Sequence, residues 1–244
     1  MTPEVRTKRE SLRARLGAVR ARVEAAAHRA GREAREVTLV AVSKTHPVEA
    51  VREAVAAGVE DFGENRVQEA EGKIETLRPE AQTLRWHLIG HLQANKARRA
   101  VRLFDLIHSV DSAELLERLE RLCHEEGRER LDVLWQIDLA GEAAKSGANE
   151  GELPALVEAQ SKCERVRCRG LMLLPPFFDD VERVRPFFRR LRALRDELRG
   201  RGVFGAGAGA LSMGMSHDFE AAVEEGATLV RVGTAIFGER NGAV

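Results

Sequence analysis

Apolar positions along this 244-residue chain change their spacing at regular intervals. Near the start, Leu12, Leu16, Val19 and Val23 recur at four, three and four, which is one face of a helix. That spacing predicts an amphipathic N-terminal helix over about residues 5–30. Val37–Ser43, "VTLVAVS", then reads as a buried strand. Pro47 opens a helical stretch to Ala57, tolerated because the first turn has no use for its missing N–H. The alternation continues with a strand in "GVEDFG", a helix over Glu64–Leu77, a strand in "LRWHLIG", a helix in "QANKARRAV" and a strand in "FDLIHSV". Asp111 is the expected cap of the next helix, with Glu114 three residues on as its capping-box partner. Then come the strand "LDVLWQIDLA", a helix over Leu153–Cys163, the strand "VRCRGLMLL" and a helix over Val181–Arg199. The glycine-rich "GAGALSMG" is a weak strand, Phe219–Glu225 a helix, "ATLVRVG" a strand, and "TAIFGER" a closing helical turn.

Strands alternating with helices imply a parallel sheet. Eight such units in 244 residues match the arithmetic of a closed α/β barrel. The expected fold is a single (β/α)8 TIM barrel over about residues 37–240, one domain spanning 1–244, with the extra N-terminal helix packed outside. An open doubly wound sheet is the alternative. After the first strand, "SKTHP" stands where a dinucleotide fold places G-x-G-x-x-G.

Composition narrows the partners. Lys+Arg and Asp+Glu are both 39, so no bulk charge draws the chain to nucleic acid or a membrane surface. In "RVRPFFRRLRALRDELRGR", Phe187, Leu191, Leu194 and Leu198 fall at helical spacing, which leaves the arginines as a solvated face. No run has the ~20 apolar residues of a membrane span. The charged start lacks a signal-peptide core, so the expected compartment is the cytoplasm. Cys123, Cys163 and Cys168 fit no zinc or redox pattern. His87 and His91 are four apart on a strand, ~13 Å, too far for one metal ion. No metal site is expected. The sequence holds no tyrosine, so no phenol of its own can act as acid or base.

The candidate chemistry lies at strand ends, where barrels of this class carry their sites. Lys44 follows the first strand and shares a face with Val42, Val40 and Thr38. It is either an exposed strand-end charge or a partly desolvated, nucleophilic amine. The loops after the last two strands, "LSMGMS" and "RVGTAIFG", suit a phosphate: Gly233 for backbone approach, Thr234 for a hydroxyl, and Ser212 with the Met213 amide facing them. Arg231 shares a face with Leu229 and Gly233, opposite Val230 and Val232. If the valines pack outward, the arginine points inward and needs an acceptor, either a carboxylate or a ligand atom. An amine, a phosphate cradle and an inward arginine together fit pyridoxal 5′-phosphate.

The segments "AVSKTHP", "FGENRVQEA", "WHLIGHLQANK", "SGANEGEL", "RGLML" and "LSMGMSHDFEAAVEEGATLVRVGTAIFGER" closely resemble the pyridoxal phosphate homeostasis proteins. Their barrel is similar to the N-terminal domain of bacterial alanine racemase. The resemblance covers about residues 37–240. It implies that Lys44 carries the cofactor as an aldimine, with Asn65 near the ring, Arg231 at the ring nitrogen, and Ser212, Gly233 and Thr234 on the phosphate. Lys145 matches a lysine found in relatives, and is either a residue that receives or passes on the cofactor or an ordinary loop lysine. Arg66 and His46 depart from common family forms, which have tyrosine and a second lysine there. The resemblance also implies a carrier or regulator in intracellular cofactor homeostasis with no established turnover; the expected protein is a monomer, with apo forms of pyridoxal phosphate-dependent enzymes as candidate acceptors. The alternative is a small racemase or lyase using His87, His91 or His217 as its second base.

Overall fold

In a computed structural model, which describes residues 3–78, 83–141 and 146–239, each strand pairs in parallel with the one before it. The last strand pairs with the first, so the sheet closes into an eight-stranded barrel rather than staying open. The elements run α1 (Pro3–Arg29), β1 (Thr38–Val42), α2 (Val48–Ala56), β2 (Asp61–Glu64), α3 (Val67–Leu77), β3 (Arg85–Leu88), α4 (Ala97–Leu103), β4 (Leu106–Val110) and α5 (Ala113–Glu125). They continue with β5 (Leu131–Ile137), α6 (Leu153–Ser161), β6 (Val166–Leu173), α7 (Arg185–Gly200), β7 (Ala210–Ser212), α8 (Phe219–Glu224), β8 (Leu229–Val232) and α9 (Thr234–Phe237). No helix among the described residues is long and apolar enough to cross a membrane.

The two faces of the sheet differ. Ala41, Phe62, Leu88, Val133, Trp135, Leu171, Val230 and Val232 join the helices in one apolar cluster. Val40, Val42, Ile89, Leu134, Met172 and Leu229 are buried outside that cluster, at the alternate positions that face the bore. Gly63 lies among them: a Cβ there would come within 3.1 Å of Val40 and 3.2 Å of Ile89.

Helix α1 packs outside, against α8 and α9. Leu12, Leu16, Val19 and Val23 are buried along its inner stripe, as their spacing predicts. Arg15 Nε donates to the Ile236 carbonyl at 2.7 Å, and Arg22 and Arg29 pair with Glu220 and Glu224. Exposed ion pairs contribute at most ~1 kcal/mol each. A buried leucine or valine contributes ~1.5–3 kcal/mol, so the apolar stripe holds the helix down.

Local boundaries depart from the sequence reading in three places. Helix α3 begins at Val67, because Glu64 still pairs with Leu88 in the sheet and Arg66 is extended. Ser112, not Asp111, caps α5: its hydroxyl accepts from the Leu115 amide at 3.2 Å, while the Asp111 carboxylate lies 3.4 Å from His91. Residues Val181–Val184 form a 3-10 turn before α7.

Candidate functional site

Lys44 lies two residues past β1, half-buried in the turn Ser43–His46. The next residue, Thr45, has φ +65°, a conformation that costs a β-branched side chain on the order of 1–3 kcal/mol. The surroundings hold it there. The Thr45 amide donates to Glu69 Oε1 at 2.5 Å. Lys73 Nζ donates to the Ser43 carbonyl (2.7 Å), Glu64 Oε1 (2.7 Å) and Glu69 Oε1 (2.8 Å). Ser43 Oγ donates to the same Glu64 oxygen at 2.6 Å. Lys73 and Glu64 are both buried. Burial raises the Glu64 pKa, and the Lys73 ammonium opposes that rise. Sequence reasoning missed this clamp, although Glu69 and Lys73 stand at the i,i+4 spacing of a helical ion pair.

The Lys44 turn adjoins the loop after β8. A Cβ on Gly233 would lie 3.3 Å from the Val42 carbonyl oxygen, and the His46 ring stacks on Phe237 with centroids 5.0 Å apart. Asn65 follows β2 at the same end of the barrel, half-buried. Gly90 presses against it so closely that a Cβ there would come within 2.4 Å of the Asn65 carbonyl oxygen.

The loops after β7 and β8 meet as the sequence suggests, but through a different hydroxyl. Ser212 is wholly buried: its Oγ accepts from Arg231 Nη1 at 2.5 Å and lies 2.8 Å from His108 Nδ1. The Met213 amide donates to the Leu229 carbonyl at 3.1 Å, and its side chain belongs to the apolar cluster. Ser212 Oγ and the Met213 amide are thus both engaged inside the barrel. Ser216, overlooked in the sequence, joins the two loops: its half-buried hydroxyl accepts from the Gly233 amide at 3.3 Å and the Ala235 amide at 3.5 Å. Gly214 makes the approach possible, with φ +92° and no room for a Cβ, which would lie 2.6 Å from the Ala222 Cβ. Thr234 is exposed beside Gly233.

Arg231 points inward, since Val230 and Val232 join the outer cluster. It is 3% exposed, and Nη2 donates to the Leu173 carbonyl at 2.8 Å. Its acceptors are thus a hydroxyl and a carbonyl. No carboxylate contacts it among the described residues. Burial lowers its pKa to about 10, against the opposing charge of Asp218, so it stays a cation at neutral pH. Two of a guanidinium's five N–H groups are used this way. A buried cation without a carboxylate is costly unless a further acceptor reaches it.

The three histidines differ in setting. His87 is buried between Asp61 and His108, His91 is exposed beside Asp111, and His217 Nε2 donates to the Phe178 carbonyl at 3.1 Å. Lys145 lies outside the described residues. No cluster of three or more metal-ligating side chains occurs among the described residues.

An amine at one side of the mouth, a hydroxyl with amides at the other, and a buried cation below form a donor set suited to a phosphorylated aldehyde with a ring acceptor. Comparison with known proteins follows the same line. The family model for the alanine racemase N-terminal domain matches residues 14–241. The pyridoxal phosphate homeostasis protein of Aquifex aeolicus is 42% identical over 226 residues, 93% of this chain and 97% of its own. That of Pseudomonas aeruginosa is 45% identical over 226 residues, 93% and 94%. PipY of Synechococcus elongatus, solved both without and with pyridoxal phosphate bound, is 41% identical with a TM-score of 0.82, covering 93% of this chain and 100% of that one. An alanine racemase of Clostridium difficile has a TM-score of 0.71 at 18% identity, covering 96% of this chain and 60% of its own, a likeness of fold alone.

Proposed function

The chain belongs to the pyridoxal phosphate homeostasis family, built on the alanine racemase N-terminal barrel, and on that premise we propose that it binds pyridoxal 5′-phosphate at the barrel mouth, held covalently through the Lys44 amine. The observation that carries this reading is Arg231, a buried guanidinium held by a hydroxyl and a carbonyl, with N–H groups to spare for an outside acceptor. Bound there, the cofactor supplies an aldehyde, a phosphate dianion and a ring nitrogen. Lys44 meets the aldehyde, Arg231 donates to the ring nitrogen, and Asn65 sits beside the ring. Ser216, Gly233 and Thr234 take the phosphate. Ser212 serves the site from below by holding Arg231, and Met213 serves it by fixing β7 against β8.

We read the chain as one domain, a monomeric cytoplasmic carrier that stores the cofactor and gives it up to apo enzymes, without turnover of its own. A racemase needs a base on each face of the substrate α-carbon, and the chain has no tyrosine to supply the second. His87 is buried in other bonds. The test is to load the protein, offer D- and L-amino acids in heavy water, and follow deuterium entering the α-carbon. Exchange no faster than with free cofactor is expected; exchange clearly above that background would establish an enzyme instead.

A further inference from the structure

Below the mouth, a line of buried polar side chains crosses the bore. Asp61 Oδ1 lies 3.0 Å from His87 Nε2, and His87 Nδ1 lies 2.9 Å from His108 Nε2. His108 Nδ1 lies 2.8 Å from Ser212 Oγ, which accepts from Arg231 Nη1 at 2.5 Å. These residues come from β2, β3, β4, β7 and β8. Strands β4 and β7 are not neighbours in the sheet, so the His108–Ser212 contact spans the interior. All five side chains are buried.

The direction of these bonds follows from their ends. At one end, burial pushes the Asp61 carboxyl up, but hydrogen bonds from Arg85 and His87 outweigh it and hold its pKa at about 2. Arg85 grips the carboxylate through Nε at 2.7 Å and Nη2 at 2.6 Å. A carboxylate only accepts, so His87 Nε2 donates to it. If His87 carries one proton, its Nδ1 then accepts, and His108 Nε2 must donate. His108 is neutral, because burial above all, with the Arg231 cation beside it, drives its pKa well below 6.5. Its Nδ1 therefore accepts from the Ser212 hydroxyl. The Ser212 oxygen keeps its lone pairs for Arg231, which can only donate. With His87 singly protonated, every hydrogen points one way, from Arg231 towards Asp61.

We propose that Asp61, His87 and His108 are positioning residues for the cofactor ring, a one-way hydrogen-bond chain that turns the Ser212 oxygen towards Arg231 and so aims the guanidinium at the ring nitrogen. This rests on the reading that pyridoxal phosphate binds at the mouth. Arginine has many rotamers, and a ligand that had to order this one would bind more weakly. The chain removes that cost before the ligand arrives. It also explains why a serine in the phosphate-facing motif "LSMGMS" is turned away from the mouth.

Two experiments test it. In the cofactor-free protein labelled with 15N-histidine, long-range 1H–15N spectra at neutral pH should show His87 and His108 both as Nε2–H tautomers. An Nδ1–H tautomer at His108 would reverse the chain and overturn the proposal, whatever the cofactor does. In the loaded protein, His108→Phe and Ser212→Ala should each shift the visible absorption maximum. Each should also speed cofactor loss on dilution about tenfold, the scale of one hydrogen bond to a charged group. The double variant should be no worse than either single one. Wild-type spectrum and retention in both variants would make the chain a folding device and overturn the proposal. Should a variant fail to fold, the tautomers of the wild-type protein decide. Failure of the wild-type protein to take up cofactor would instead remove the reading beneath, and with it the ring to be positioned.

Discussion

On β3, Trp86 and Leu88 face the helices, while His87 between them faces the bore and bonds to Asp61 and His108. On β8, Val230 and Val232 pack outward, while Arg231 between them points inward to Ser212 and Leu173. The same strands thus follow two rules. The outer face gains by removing apolar surface from water, about 25 cal/mol per Å². The inner face buries a cation, a carboxylate and two imidazoles, each of which must be compensated by a hydrogen bond to avoid a penalty of about 1–3 kcal/mol or more. An apolar bore of Val40, Val42, Leu134 and Met172 alone would be simpler to build. The polar line crossing it is worth most for what it does at the mouth.

The sharpest way to break this comparison is to damage one face at a time. Phe62→Ala on the outer face should cost ~3–5 kcal/mol in a denaturant melt, while Lys44 in the folded fraction still takes up cofactor. A loss of uptake at full folding would mean that the outer face also shapes the site. On the inner face, Asp61→Asn should cost about 1–3 kcal/mol, since Arg85 and His87 lose their charged acceptor.

The faces should also differ in pH response. The His108 pKa is lowered in the folded protein, so below 6.5 the unfolded chain binds a proton that the folded one does not. Stability should therefore fall as pH drops below 6.5, by up to about 1.4 kcal/mol per unit from this group. Asp61 adds its own loss only lower, between its ordinary 3.8 and about 2. Urea melts from pH 8 to 5 should show a shallower decline in His108→Phe; an unchanged decline would place the sensitivity elsewhere. The smallest effect belongs to the rim. Thr234→Ala should leave the melt within about 0.5 kcal/mol of wild type, because the residue is exposed, yet weaken cofactor retention by a few-fold.

Much of this was legible in the sequence. Apolar runs between helical stretches marked the barrel strands, and the alternation of Val230, Arg231 and Val232 turns the arginine inward once the valines pack outward, as they do. Loops obey no such period. Within "LSMGMS" the pattern could not tell which serine leaves the strand, and the structure gives Ser212 to Arg231 and Ser216 to the Gly233 amide. The cap at Ser112 and the start of α3 were missed for a related reason. Both depend on where a strand stops pairing, which its neighbour decides. The Asp61–His87–His108 chain joins residues far apart in sequence across the bore. His87 was weighed only as a base or a metal ligand.

The most direct measurement is to add pyridoxal phosphate to the purified protein, reduce with borohydride, and map the modified peptide by mass, with Lys44→Ala in parallel. Label on Lys44 in the wild-type protein and its disappearance in a folded Lys44→Ala variant are the expected results. A folded wild-type protein that takes no label, or takes it with equal yield on another lysine in the variant, would contradict Lys44 as the residue that holds the cofactor.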